Sequence, residues 1–359
     1  MSNRLNILLS SWYSQRDSCQ WVLATIIETQ RSSYRKRGAM MFINSLGKTF
    51  GLLSGGCLEA DLMQQARKCW LNKTNITVCY DMQDDSDIAW QLGIGCGGLV
   101  KVLVQPIDIS NNYLDLLQLK TKVDNRILCH YGVDTTISCN ATNTSAASKN
   151  QVLKSNLTNN KNVFTISPAP ALVIFGGGID SQPLINMAHT LGWHICLIDS
   201  RAAYARAAYF KNANVIIHDD YESLSTNPLL PKADAIVVMH HNILLDAKAL
   251  QSTRTIETLS GARYLGILGP QHRTEQVLKQ AKLALTDLPN KLTNKLASPI
   301  GLDLGGDLPE SIALAILAQV HAILEKTSGE NLGFFGSEID KTRINENLNS
   351  VKVIPTHAN

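Results

Sequence analysis

Five apolar residues followed at once by three glycines, Ala171-Leu-Val-Ile-Phe-Gly-Gly-Gly178, limit what this chain can become more than any other segment. The apolar run reads as a buried strand. Glycines after it let the backbone turn sharply, and residues 181–191 then carry helical periodicity. Downstream, strand-like segments at 194–199, 215–218, 235–239 and 264–268 alternate with helical stretches. That alternation predicts a Rossmann-like, doubly wound parallel sheet with helices on both faces, over residues 171–328.

In such a fold the helix after the glycine turn offers free N–H groups and a favourable dipole to an anion. Gly176 and Gly178 occupy the first two glycine places of the G-x-G-x-x-G pattern, and Ser181 stands at the third. Two readings of Gly176, Gly177 and Gly178 follow: a phosphate or nucleotide loop, or a purely structural turn. Asp199 ends the next strand, where an acid accepts hydrogen bonds from ribose hydroxyls in dinucleotide binders or caps the segment that follows.

With 359 residues the chain has room for a second core ahead of this domain. Residues 5–13 have helical spacing, 21–27 read as a buried strand, and 40–43 with 49–53 flank the hairpin turn Asn44-Ser-Leu-Gly47. Leu58, Leu62, Ala66 and Trp70 recur every four residues along one helical face, and strands are expected at 76–80 and 99–104. The result is a mixed α+β domain over 1–139. A polar linker is expected over 140–170 and a flexible tail over 329–359. A net charge of +3 argues against a nucleic-acid footprint. No apolar run approaches the length that spans a membrane, so a cytoplasmic protein is expected.

The eight cysteines include no C-x-x-C pair. Two of them, however, sit in glycine-rich loops: Cys57 in Ser54-Gly-Gly-Cys-Leu-Glu59, and Cys96 between Gly95 and Gly97-Gly98. Glycine leaves a thiol accessible, and nearby N–H groups favour the thiolate, which suits a soft metal or a sulfur-transfer step. Against this stands a tight turn with an inward-packed thiol. Glu59 at the helix start serves either the dipole or chemistry. His240-His241 follow a strand at the ligand-binding edge of the sheet, and one of them, His240, is a candidate to line the cleft. Asp303 and Asp307 read as turn and cap residues ahead of the helix beginning at Pro309.

Taken in order along the chain, these pieces resemble the XdhC/CoxI family of molybdenum cofactor maturation factors. The resemblance is carried by Ala24-Thr-Ile-Ile-Glu-Thr29, the loops around Cys57 and Cys96, the Gly176 loop and Asp199-Ser-Arg201. It continues through Val237-Val-Met-His-His241, Gly266-Ile-Leu-Gly-Pro270 and Ser298-Pro-Ile-Gly-Leu-Asp-Leu304. It implies an accessory protein, with catalytic turnover left open, that binds molybdenum cofactor as molybdopterin or its dinucleotide form. Such a protein shields the cofactor during sulfuration and delivers it to a xanthine dehydrogenase-like enzyme. The implied partners are that enzyme, a cysteine desulfurase and a second copy of the chain. Cys96 is the implied molybdenum contact, with Cys57 second, and the glycine loop holds the phosphate in a cleft between the domains.

Two other classes compete. An NAD(P)-dependent oxidoreductase would use the Rossmann half, but the sequence displays no recognisable Tyr-Lys or His-Asp catalytic pair. A nucleotide-sensing regulator would need neither Cys57 nor Cys96.

Overall fold

The computed structural model describes residues 3–56, 58–81, 98–134, 150–153, 162–288 and 296–330. The first domain runs α1 (Leu5–Gln15), β1 (Trp21–Gln30), β2 (Met40–Asn44), β3 (Thr49–Phe50), α2 (Glu59–Asn72), β4 (Ile76–Asp81), β5 (Leu99–Ile107) and α3 (Leu116–Asp124). Its strands pair antiparallel in the order β3-β2-β1-β5-β4. Both faces are covered. Leu62, Ala66 and Cys69 of α2 pack over Val22, Ala24 and Val102. Leu8, Leu9 and Trp12 of α1, with Leu119 of α3, pack on Trp21, Leu23 and Phe42. Central β1 is therefore apolar without alternation, and each large side chain it buries contributes roughly 1.5–3 kcal/mol.

The segment expected as a polar linker departs from that expectation. Strands β7 (Gln151–Leu153) and β8 (Val163–Ile166) pair antiparallel with β6 (Cys129–Gly132) in a small sheet. Phe164 is buried and joins the core beneath α1. Polar neighbours hid these strands, because three or four residues carry too little periodicity to stand out.

The second domain runs β9 (Ala171–Phe175), α4 (Ser181–Thr190), β10 (His194–Ile198), β11 (Val215–Ile217), β12 (Ala235–Val238), α5 (Ile243–Thr255), α6 (Glu257–Ser260), β13 (Tyr264–Ile267), α7 (Gln271–Ala281), β14 (Leu296–Ala297) and α8 (Pro309–Glu325). All pairings in the sheet β11-β10-β9-β12-β13-β14 are parallel. This is the doubly wound order, reversing between β9 and β12. Leu184 and Ile185 of α4 pack with Ala313, Ile316 and Val320 of α8 on one face. Leu250 of α5 and Val277 of α7 cover the other. The chain is thus a mixed α+β domain followed by a Rossmann-like domain.

The domains meet at the N-terminal edge of the parallel sheet. The Arg126 guanidinium donates to the Ala169 carbonyl at 2.6 Å and to the Asp234 carboxylate at 3.4 Å, just ahead of β9 and β12. Arg4 Nε donates to the Leu191 carbonyl, ahead of β10, at 2.7 Å. A groove of about 420 Å³ lies along this junction, between Arg35, Gly38 and Arg126 on one side and Gly192, His194 and Asn214 on the other.

Candidate functional site

The glycine loop lies at the opposite, C-terminal edge, where the sheet order reverses. Gly176 has a φ of +116°, and a side chain there would stand 2.7 Å from the Met239 carbonyl at the end of β12. At Gly177 a side chain would come within 2.0 Å of the Tyr204 carbonyl. Close packing therefore explains glycine at both positions, whatever the loop binds. Gly178 differs, since its neighbours are side chains, the Asp180 carboxylate and the His241 ring. Among the described residues, the backbone N–H groups of Gly178, Ile179 and Asp180 have no acceptor, and they lie in the turn that leads into α4. Ser181, at the place of the third glycine, turns its hydroxyl to the Gly178 carbonyl at 2.7 Å and braces the turn.

Two readings are open for Asp199, ribose acceptor or cap of the segment that follows, and its contacts in the structure are with its own chain, the Arg201 N–H of that segment included. It is fully buried. Its carboxylate accepts the Gly177 N–H at 2.9 Å, the Arg201 N–H and Nε at 2.9 Å each, and Arg201 Nη2 at 2.7 Å. Burial opposes ionisation, but the donors from Arg201 and Gly177 outweigh it and hold the carboxyl below the usual carboxylate range. Asp199 thus fixes the glycine loop from behind, and Arg201 is the residue that lines the cleft.

The two histidines divide. The His240 ring is enclosed: Nδ1 meets Asp246 Oδ1 at 2.9 Å and Nε2 meets the Tyr221 hydroxyl at 2.6 Å. Its side chain has no solvent exposure, although the residue borders the cleft. His241 takes a left-handed φ of 56° and turns outward. Its Nε2 reaches Asp180 Oδ2 at 2.6 Å, bridging the glycine loop and the end of β12. Both histidines border the cleft, and the exposed imidazole is that of His241.

A His–Asp pair, which is not recognisable in sequence, does form in the fold. Asp246 is fully buried and also pairs with Arg273. Desolvation pushes its carboxyl upward, but His240 and Arg273 pull harder and hold it low. Tyr221 is pushed well up by burial, so its hydroxyl stays protonated and can donate to His240. The signal for Asp246 was its place in the first turn of α5, behind the Asn242 cap. Nothing local marked Tyr221 or Arg273.

His240, His241 and Arg273 border a cleft of about 760 Å³. Its polar side carries Arg201, Arg273, His241 and Asp180, and its apolar side carries Met239, Leu268, Ile312 and Ile316. A phosphate fits the unpaired N–H groups, and a flat ring system fits the apolar wall.

In the first domain, Cys57, Gly95, Cys96 and Gly97 lie outside the described residues. Their surroundings are partly visible. Ser54 Oγ accepts the Leu58 N–H at 2.9 Å, while the Glu59 carboxylate accepts the N–H groups of Leu53 and Ser54 and the Ser54 hydroxyl. Glu59 thereby braces the turn that leads into α2. Side chains added at Gly55 or Gly56 would meet open space, unlike those at Gly176 and Gly177. A side chain at Gly98 would strike the Ser32 carbonyl at 2.1 Å, so glycine there permits packing against the turn after β1. The interdomain hydrogen bonds of Arg4 and Arg126 lie at the sheet edge away from the glycine loop, so the described residues do not bring the two candidate sets together. Asp303 and Asp307 are exposed. The cap of α8 is Leu308 rather than Asp307, with Pro309 opening the helix.

Comparison with known proteins places this geometry. Residues 14–81 match the model of the XdhC and CoxI family, and residues 172–320 match that of the XdhC Rossmann domain. A Bacillus subtilis protein described as a probable subunit of xanthine dehydrogenase is 29% identical over 325 residues, covering 85% of this chain and 93% of its own. The Escherichia coli molybdenum cofactor insertion chaperone PaoD is 21% identical over 304 residues, covering 84% and 83%. A crystal structure described as a xanthine dehydrogenase from Bacillus halodurans superposes with a TM-score of 0.74 at 28% identity, covering 92% of this chain and 98% of that one. With both domains matched in their order and the fold shared over nearly the whole length, the chain belongs to the XdhC and CoxI family.

Proposed function

We propose that this protein binds molybdenum cofactor, shields it while its terminal sulfido ligand is installed, and delivers it to a xanthine dehydrogenase-like hydroxylase. The observation that carries this reading is the cleft at the switch point of the sheet, with free N–H groups on one wall and apolar side chains on the other. The names of two relatives, one a molybdenum cofactor insertion chaperone and the other a component of xanthine dehydrogenase, support the same class of cargo and client. When bound, the cofactor brings a soft metal centre, a pterin and a phosphate. The N–H groups of Gly178, Ile179 and Asp180 hold the phosphate, and Met239, Leu268 and Ile312 exclude water from the ring. Cys96, with Cys57 second, supplies the thiolate that soft metal chemistry requires.

A cysteine desulfurase serves as the sulfur source, the setting is cytoplasmic, and the protein acts as a homodimer. An NAD(P)-dependent oxidoreductase is less well supported, because Asp199 is committed to Gly177 and Arg201 instead of to a ribose. The test is expression in cells that make the cofactor, anaerobic purification, and assay of molybdenum and pterin in wild type and Cys96→Ser. Near-stoichiometric cofactor that the mutant loses is expected. A nicotinamide bound in its place overturns the delivery role.

A further inference from the structure

We propose that Arg201 and Arg273 form a two-armed clamp for a phosphate monoester or pyrophosphate, and that the cleft reads phosphate in place of the ribose hydroxyls. This rests on the reading that the cleft holds a phosphorylated ligand, and it identifies the side chains that select it. In dinucleotide binders the acid at the end of the second strand receives ribose hydroxyls. Here that acid, Asp199, is buried and takes four N–H donors from Gly177 and Arg201. What it presents to the cleft is the Arg201 guanidinium.

The second arm repeats the design on the other side of the switch point. Buried Asp246 holds Arg273, whose Nη1 also donates to the Leu268 carbonyl at 3.0 Å. Each guanidinium has five N–H bonds and spends two side-chain donors on these anchors, so each retains donors for a ligand. Arg201 is further held over the Tyr204 ring at 3.6 Å. The Arg273 arm continues into a buried network. Asp246 meets His240, and His240 meets Tyr221. His240 is thus a positioning residue for the Arg273 arm. Planar donors fixed before binding suit the bidentate geometry of phosphate oxygens and lose little freedom on binding.

The experiment is calorimetric titration of the full chain, purified from cells unable to make the cofactor, with inorganic pyrophosphate, ADP and adenosine. Pyrophosphate and ADP are expected to bind, and adenosine is not. Arg201→Gln and Arg273→Gln are each expected to weaken pyrophosphate roughly ten- to hundredfold, the loss typical of a charge-assisted hydrogen bond. Arg273→Gln leaves Asp246 short of a partner and risks the fold, so wild-type protein is also treated with phenylglyoxal. Pyrophosphate should protect Arg201 and Arg273 from modification and leave Arg4 and Arg126 unprotected. Absence of pyrophosphate binding, equal binding of adenosine and ADP, or unprotected cleft arginines overturns the clamp. If molybdenum and pterin still co-purify in that event, the delivery role survives it. If pyrophosphate is clamped and no cofactor ever co-purifies, the clamp stands and the delivery role falls.

Discussion

The two edges of the parallel sheet use arginine in opposite ways. At the N-terminal edge, Arg4 and Arg126 cross from the first domain and donate to the carbonyls of Leu191 and Ala169, and Arg126 and Arg263 share the partly exposed Asp234. At the C-terminal edge, Arg201 and Arg273 are held by aspartates with no solvent exposure and border an open cleft. Arginines spent on backbone carbonyls join two domains. Arginines braced by buried carboxylates are oriented dipoles with donors left over. The two edges differ in the burial of the carboxylate behind the guanidinium, half-buried at Asp234 and fully buried at Asp199 and Asp246.

The severest test of this contrast is Asp246→Ala. It strips His240 and Arg273 of their buried acceptor and is expected to cost about 3–5 kcal/mol, as removing one member of a buried ion pair typically does. Urea unfolding measures it, and a loss no larger than that of a surface pair would show the network to be incidental.

Acid is expected to act next. Asp199 and Asp246 ionise below the usual range when folded, so their contribution is complete above the unfolded carboxylate value of about 4 and is lost as pH falls through the lower folded values. The urea midpoint should therefore drop as pH falls below about 4 and drop less in Asp199→Asn. A midpoint that is flat through this window contradicts the assignment.

Gly177→Ala forces a methyl against the Tyr204 carbonyl and should cost about 1–3 kcal/mol, with a larger fractional loss of pyrophosphate binding than of stability. Gly55→Ala, facing open space, serves as the neutral control in thermal melts. The smallest effect belongs to the other edge. Asp234→Ala loses partly exposed pairs and the Ala171 N–H bond, for about 1 kcal/mol, and leaves pyrophosphate affinity unchanged. A change in affinity there would erase the distinction between the edges.

Much of this molecule is legible before any coordinates. The β9 run and its glycines, the four-residue spacing from Leu58 to Trp70 and the turn around Gly47 each announce their element, because strand and helix periods and glycine's access to positive φ are local properties. Strands β7 and β8 were lost among polar residues for want of length. The position of a candidate site at the C-terminal edge also follows from the alternation of strands and helices, through the doubly wound order.

Which side chain meets which is a matter for the three-dimensional fold. His241 finds Asp180 across 61 residues, Arg273 finds Asp246 across 27, and Tyr221 finds His240 across 19. Those partners depend on the strand order and on how each loop leaves the sheet, neither of which a local pattern records. For the same reason Asp199, placed by sequence where a ribose would lie, became the anchor of a glycine and an arginine. Which of the two histidines exposes its imidazole turned on one left-handed φ at His241. Local sequence sets the elements, their order and the edge where a ligand belongs, because backbone periodicity acts over a few residues. The donors and acceptors at that edge are set by the assembled fold, because buried hydrogen-bonding groups must be satisfied by whatever it brings within reach.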